Sequence, residues 1–68
     1  MTFTIECKQE DDGRWIAEVL ELPGVLAYGQ TVEEAIAKVQ ALALRVLAEQ
    51  LEHGERPDKV VNISFAAA

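Results

Sequence analysis

The sequence predicts an α+β fold, in which one mainly antiparallel four-stranded sheet carries a single helix on one face, in the order β-β-β-α-β. Three observations support this fold class. Residues 2–8 alternate apolar and polar side chains, which is the period of a half-buried strand. A long segment ending near His53 carries apolar side chains at helical spacing. Glycines at turn positions, such as Gly13 and Gly24, separate the segments.

The first two strands are predicted to form a hairpin. Segment Glu10-Asp11-Asp12-Gly13 is expected to make the turn, with Asp-Gly supplying the positive φ angles. The second strand is predicted from Arg14 to Leu20. Its outer face is partly apolar because of Ile16 and Leu20, which a fully solvated sheet face would not need. The strand residues expected on the inner face are Phe3, Ile5, Cys7, Trp15, Ala17 and Val19.

Segment Leu22-Pro23-Gly24 predicts a turn with proline at its second position and glycine at its third, where φ is positive. A short third strand is predicted from Val25 to Tyr28, closed by Gly29. Thr31 is then expected to cap a helix, with Glu34 completing a capping box three residues later.

The predicted helix runs to about His53, where Gly54 ends it in a left-handed conformation and Pro57 prevents its continuation. The fourth strand is predicted from Val60 to Phe65. Its inward residues are expected to be Val61, Ile63 and Phe65.

The apolar stripe of the helix is unusually wide for one small sheet. Its predicted members are Val32, Ala35, Ile36, Val39, Leu42, Ala43, Val46 and Leu47. Leu44 and Leu51 extend it sideways to roughly 200° of arc, against a usual stripe somewhat above 100°. We therefore expect a homodimer or higher homo-oligomer. The candidate interface residues are Ile16, Leu20, Leu44, Leu47 and Leu51. The alternative is that the fourth strand and the segment after Gly54 cover these leucines.

Size and composition exclude several classes of protein. With 68 residues, the chain is expected to be one domain, residues 1–68, with no separate DNA-binding domain. Lys and Arg number 6 against 12 for Asp and Glu, a net charge of −6 that disfavours direct binding of nucleic acid. There is no apolar run near 18 residues and no signal-peptide pattern at Met1–Glu6, so a cytoplasmic location is expected and no membrane partner.

Candidate catalytic residues are few, and we expect no enzyme, no cofactor and no metal site. Cys7, the single cysteine, lies mid-strand on the apolar face and is expected to be a small core residue. His53 is expected to lie at the helix C-terminus, where an imidazolium interacts well with the helix dipole. Metal-dependent nuclease chemistry is a less favoured hypothesis, resting on the carboxylates of Glu6, Glu10, Asp11, Asp12, Glu18 and Glu21.

Three segments together resemble the HicB antitoxin family. They are Gly13-Arg14-Trp15-Ile16-Ala17, Leu20-Glu21-Leu22-Pro23-Gly24 and Gly29-Gln30-Thr31-Val32-Glu33-Glu34-Ala35. They match a glycine-aromatic-valine-alanine strand, a "peLPGc" turn and a "GdT.eEAl" helix start in that family. The resemblance covers nearly the whole chain. Val25 and Gln30 depart from it mildly, because the family often has a small or cysteine residue and an aspartate there.

This resemblance implies a reduced ribonuclease H-like fold without a nuclease site. It also implies an antitoxin of a type II toxin-antitoxin system that binds and masks a small basic HicA-like toxin, which cleaves mRNA. The helix-turn-helix or ribbon-helix-helix domain of many members is not carried over to this chain. The residues expected to contact the toxin are Glu10, Asp11, Asp12, Arg14, Glu21, Leu22, Pro23 and Tyr28. The alternative is a stand-alone homo-oligomeric domain, structural or binding a small ligand, with no toxin partner.

Overall fold

In the computed structural model, which describes residues 1–55 and 62–68, the chain forms one sheet and one helix. The elements are β1 (Thr2–Gln9), β2 (Trp15–Val19), β3 (Leu26–Gly29), α1 (Val32–Glu52) and β4 (Ser64–Ala67). This order confirms the predicted α+β class and the predicted succession of elements.

The sheet has the strand order β3-β2-β1-β4. Strand β1 pairs antiparallel with β2, and β2 pairs antiparallel with β3, as expected for two successive turns. Strand β4 returns after the helix to the far side of β1 and pairs with it in parallel, with Phe3 opposite Phe65. The sheet is therefore mixed, and two of its three pairings are antiparallel.

The core lies between α1 and the inner face of the sheet. Every second residue of β1 and β2 contributes to it, and Phe3, Ile5, Ala17 and Val19 are buried. The helix contributes side chains at three- and four-residue spacing, and those that are fully buried are Ala35, Val39, Ala43 and Leu47. Trp15 and Cys7, also expected on this face, are half-buried and pack against the core. The predicted inner face of these strands is confirmed.

Glycine makes the close approach of β3 to the helix possible. Gly29 is the last residue of β3, opposite Trp15, and it is buried. A Cβ atom at this position would lie 2.5 Å from the backbone nitrogen of Ala35. The helix can therefore begin directly over the end of β3 only because residue 29 has no side chain.

Both ends of α1 are capped. The hydroxyl of Thr31 accepts a hydrogen bond from the backbone N–H of Glu34 at 3.1 Å, as predicted. The Glu34 carboxylate reaches back to the N–H of Gln30, one residue before the position that a capping box uses. At the other end Gly54 has a φ of 67°, and the N–H of Glu55 bonds the carbonyl of Gln50 at 2.8 Å, which is a Schellman motif.

Several predicted boundaries are corrected. The second and third strands begin one residue later than predicted. The fourth strand begins at Ser64 rather than at residue 60, and Ile63 is half-buried just before it. The predicted strand residues 60 and 61, and Pro57, lie outside the described residues. Phe65 faces inward as expected and its ring lies 6.0 Å from that of Phe3.

Candidate functional site

A shallow, open depression lies at the β1–β2 hairpin. Its volume is about 300 Å³, and it is lined by Glu10, Asp11, Asp12, Arg14 and Tyr28. We call these five residues the acidic hairpin surface. All five were predicted as partner-binding residues from the sequence, and the structure brings them together at one end of the sheet.

The hairpin turn places the carboxylates on the outside of the chain. The N–H of Glu10 bonds the carbonyl of Arg14 at 2.7 Å, and the N–H of Gly13 bonds the carbonyl of Glu10 at 2.9 Å. Gly13 has a φ of 90°, and among the described residues positive φ occurs at glycine alone. The prediction that Asp12 shares the positive φ is therefore wrong. The loop is a three-residue connection in which Gly13 alone takes the left-handed conformation.

Asp12 holds Arg14 in place. One carboxylate oxygen accepts from the backbone N–H of Arg14 at 3.0 Å, and the other accepts from Nε of the same residue at 2.8 Å. The backbone N–H of Arg14, followed by its side chain, keeps the pKa of Asp12 below its ordinary value. The guanidinium carbon also lies 4.6 Å from the ring centre of Tyr28, in cation–π geometry.

The positive charge of Arg14 is thus engaged inside the surface, whereas two carboxylates are not. Within the described parts of the chain, the side chains of Glu10 and Asp11 accept no hydrogen bond and form no ion pair. Asp11 is exposed and Glu10 is half-buried. Their carboxylate oxygens are therefore open to a cationic group from outside these residues.

Apolar side chains lie near Tyr28 on the open face of the sheet, on the side away from the helix, and Glu18 lies among them opposite Leu26. Tyr28 lies opposite Ile16 in the β2–β3 pairing. Leu26, two residues before Tyr28, points to the same face, and Leu20 lies at the far end of β2. Leu20, Leu26 and Tyr28 are all exposed. Leu26 was not among the predicted contact residues, although its two-residue spacing from Tyr28 indicates a shared face.

The remaining predicted contact residues lie at the opposite end of the sheet. Glu21, Leu22 and Pro23 belong to the β2–β3 turn, and the five residues of β2 put roughly 16 Å between this turn and the hairpin. Leu22 is only 7% exposed and packs in the core, so its side chain is not available as a contact. Pro23 is exposed in a turn that the Val25 N–H to Leu22 carbonyl bond closes at 3.0 Å.

Glu21 has a structural role at this turn. Its carboxylate accepts from the backbone N–H of Thr4 at 2.7 Å and from the Thr4 hydroxyl at 2.8 Å. These two bonds, the backbone one first, keep the pKa of Glu21 below its ordinary value. Glu21 therefore ties the β2–β3 turn to β1, and both of its oxygens are already engaged.

The residues predicted for an oligomer interface fall on two separate surfaces. Leu44 and Leu51 lie on the helix and are each 45% exposed. Ile16 and Leu20 lie on the open face of the sheet, on the other side of the molecule. Leu47 is 2% exposed and belongs to the core, so its placement in an interface is corrected. Its position on the helix points directly at the sheet.

The other residues that could carry chemistry, Cys7 and His53, lie in different parts of the fold and form no common site. Cys7 lines a narrow apolar groove of about 110 Å³ between the helix and β4, beside Ile36 and Phe65. His53 is the C-cap residue of α1, as predicted, and is exposed. Within residues 1–55 and 62–68, no group of three or more His, Cys, Asp or Glu side chains is arranged to hold a metal ion.

Two further findings bear on classification. Across the portion of the chain that the structure describes, no helix combines the length and the apolar character that crossing a bilayer requires. Comparisons with protein-family models, with curated proteins and with solved structures find no match to this chain.

Proposed function

We propose that this chain is a HicB-like antitoxin domain, which binds a small basic HicA-like mRNA interferase and masks its RNA-binding face. In this proposal the domain works by binding and not by catalysis. It acts in the cytoplasm, where the mRNA substrate of such a toxin is found.

The observation that carries the proposal is the acidic hairpin surface. Glu10 and Asp11 present carboxylates that no described group of the protein engages, beside the aromatic ring of Tyr28. An RNA-binding face presents lysine and arginine to phosphates. Two free carboxylates next to an aromatic ring can pair with such cations and exclude water from the contact around them.

The charge of the whole chain supports the same partner. A net charge of −6 on 68 residues creates a negative potential that attracts a cationic protein and speeds the encounter. The sequence resemblance supports the partner's class, and two of its three segments lie at or directly beside this surface. Gly13–Ala17 starts in the hairpin, and Gly29–Ala35 follows directly on Tyr28.

The test first recovers the partner and then measures how fast the chain and its variants associate with it. A tagged copy of the chain, expressed in its native host, should retain a small basic protein. That protein should cleave mRNA when it is assayed by itself, and its activity should be lost when the chain is added. Recovery of no such protein, together with a chain that only self-associates, would favour the stand-alone homo-oligomeric alternative.

The matched variants are Asp11→Lys and Glu55→Lys, which change the net charge equally at exposed positions. Asp11→Lys should slow association by about tenfold, because it reverses charge inside the contact. Glu55→Lys, beyond the helix C-terminus, should have a much smaller effect. Raising salt from about 0.1 M to about 1 M, which shortens the screening length from about 10 Å to about 3 Å, should remove the difference. Equal slowing by both variants would refute a localised acidic contact.

A further inference from the structure

Strand β3 is an edge of the sheet, and part of its backbone is left without a bonding partner. It pairs with β2 on one side and with no described strand on the other. The N–H of Val19 bonds the carbonyl of Val25, which lies opposite it, at 3.0 Å, so these two residues form a hydrogen-bonded pair. Because such pairs alternate along an antiparallel ladder, Ala27 bonds β2, whereas the N–H and C=O groups of Leu26 and Tyr28 point away from it.

Apart from being short, at four residues, this edge lacks the features that prevent strand pairing. Natural sheets protect an exposed edge with charged side chains, proline or a bulge. The sequence of β3 is Leu-Ala-Tyr-Gly, and its pairing with β2 runs without a bulge. The backbone groups of Leu26 and Tyr28 therefore offer two donors and two acceptors to an extended chain that lies along β3.

Apolar side chains lie on both sides of this edge. On the open face of the sheet, Leu26 and Tyr28 are 37% and 40% exposed. On the inner face, Ile36 and Gln40 line the groove on the β4 side of the helix. At about 100° per residue, Leu42 then lies on the opposite flank of the helix, towards β3, where it is half-buried. An extended chain beside β3 therefore meets apolar side chains on each of its two faces.

We propose that the basic partner binds by strand addition, in which an extended segment of the partner bonds the free backbone groups of Leu26 and Tyr28. The added segment continues the sheet beyond β3 and carries a lysine or arginine beside Tyr28. This inference rests on the proposed function and specifies how that partner docks.

The acidic hairpin surface selects a cationic segment as the occupant. Tyr28 belongs both to the free edge and to this surface, so the two are continuous. A lysine or arginine beside Tyr28 in the added segment lies at the rim of the depression that Tyr28 shares with Glu10 and Asp11. Its charge is complementary to the two carboxylates. A second copy of the chain would add β3 itself, which has no charged side chain.

The other edge of the sheet does not have this combination. Strand β4 pairs with Thr2–Ile5, which is the half of β1 remote from the hairpin. Its exposed side chains are small, at Ser64, Ala66 and Ala67. Free backbone groups, exposed large side chains and unpaired carboxylates therefore occur together at β3.

Amide hydrogen exchange, measured by NMR on the chain alone and on the chain bound to the basic protein that it retains, tests this docking mode. In the free chain, the amides of Leu26 and Tyr28 should exchange faster than that of Ala27, which bonds β2. In the complex both should slow by at least about tenfold, because each donates to the added strand. A complex in which both amides exchange as in the free chain overturns strand addition and leaves the proposed function standing.

Two other results of the same measurement also overturn the inference. Slowing that appears in the chain alone and increases with its concentration would show that a second copy occupies the edge. Recovery of no basic protein would refute the proposed function, and strand addition by that partner with it.

A matched pair of variants at residue 26 separates the backbone contact from the side-chain contact. Leu26→Ala and Leu26→Pro both shorten the side chain, but only proline removes the outward N–H, and an edge strand tolerates proline at such a position. Leu26→Pro should bind the partner about tenfold more weakly than Leu26→Ala, because a carbonyl of the added segment is left unpaired. Circular dichroism checks that both variants fold, and if Leu26→Pro does not, the exchange measurement decides. Equal affinities of the two folded variants overturn the proposal.

Discussion

The two turns that flank β2 contain the same types of residue, but their carboxylates have different roles. Each contains a glycine with positive φ, Gly13 in the hairpin and Gly24 in the β2–β3 turn, and each carries carboxylates. At the β2–β3 turn, Glu21 is bonded to Thr4. At the hairpin, Asp12 bonds Arg14 within its own loop, and no group in residues 1–55 or 62–68 bonds the side chains of the neighbouring Glu10 and Asp11.

This difference suggests separate roles for the carboxylates at the two ends of β2: those of the β2–β3 turn stabilise the fold, and those of the hairpin can bind a partner. An acidic residue with both oxygens bonded inside the chain stabilises the fold and has little left for a partner. An acidic residue without such bonds remains hydrated and can exchange water for a cation of another protein. Substitutions at the two ends of β2 can therefore test whether the β2–β3 turn is structural and the hairpin end binds a partner.

The largest effect is expected at the β2–β3 turn, from Leu22→Ala. Leu22 is 7% exposed in the core, and truncating a buried leucine removes apolar contacts and leaves a cavity. We expect a loss of about 2–4 kcal/mol in the free energy of unfolding, measured by urea denaturation. Leu20→Ala, two residues earlier and exposed, should cost well under 1 kcal/mol and serves as the control. Equal costs would mean that the turn is not anchored in the core.

The next largest effect is expected from Gly29→Ala, beside the hairpin end. The added Cβ would meet the backbone of Ala35 at 2.5 Å, and a backbone atom cannot rotate away as a flexible side chain can. We expect a loss of about 1–3 kcal/mol, which is the usual cost of overpacking. Thermal unfolding measures this loss of stability, with Ala27→Gly on the same strand as the comparison. A neutral Gly29→Ala would refute the tight contact between β3 and the helix start.

A smaller, pH-dependent effect is expected from Glu21→Gln. The pKa of Glu21 in the folded chain lies below its ordinary value of 4.5, because Thr4 donates to the carboxylate. Its bonds therefore contribute stability that is complete above about pH 4.5 and is lost as the pH falls through the lower folded value. Glu21→Gln should be less stable than the wild type at neutral pH, and its stability should fall less on acidification.

The control for this prediction is Glu6→Gln, an exposed carboxylate on β1. Urea denaturation of both variants and the wild type is repeated at successive pH values from neutral to about pH 3. At neutral pH, Glu6→Gln should change the free energy of unfolding less than Glu21→Gln does. If Glu21→Gln follows the wild type over the whole range, the Thr4–Glu21 bonds do not stabilise the fold.

Features that depend on neighbouring residues were predictable from the sequence. Proline and glycine fix the β2–β3 turn, Thr31 caps the helix, and Gly54 ends it, each through local backbone chemistry. The spacing of apolar residues, two in the strands and three to four in the helix, likewise identified the faces that point into the core. The acidic hairpin surface was predictable because its members lie close together in the chain, apart from Tyr28.

Features that depend on distant packing were not predictable in the same way. The sequence indicated a wide apolar arc on the helix, but the position of the sheet decides that Leu47 is buried while Leu44 and Leu51 are exposed. Leu22 looked like a surface turn residue because its neighbours are turn formers, and only the folded chain shows it in the core. The parallel pairing of β4 with β1 is a contact between the two ends of the chain, which no local pattern specifies.

The most direct test of the contrast between the two turns measures association with the basic partner and unfolding at neutral pH for two variants side by side. Asp11→Lys should slow association and leave the free energy of unfolding unchanged. Glu21→Gln should lower the free energy of unfolding and leave association unchanged. The opposite result, in which Asp11→Lys destabilises the fold and Glu21→Gln slows association, would contradict the assignment of binding to the hairpin and of structure to the β2–β3 turn.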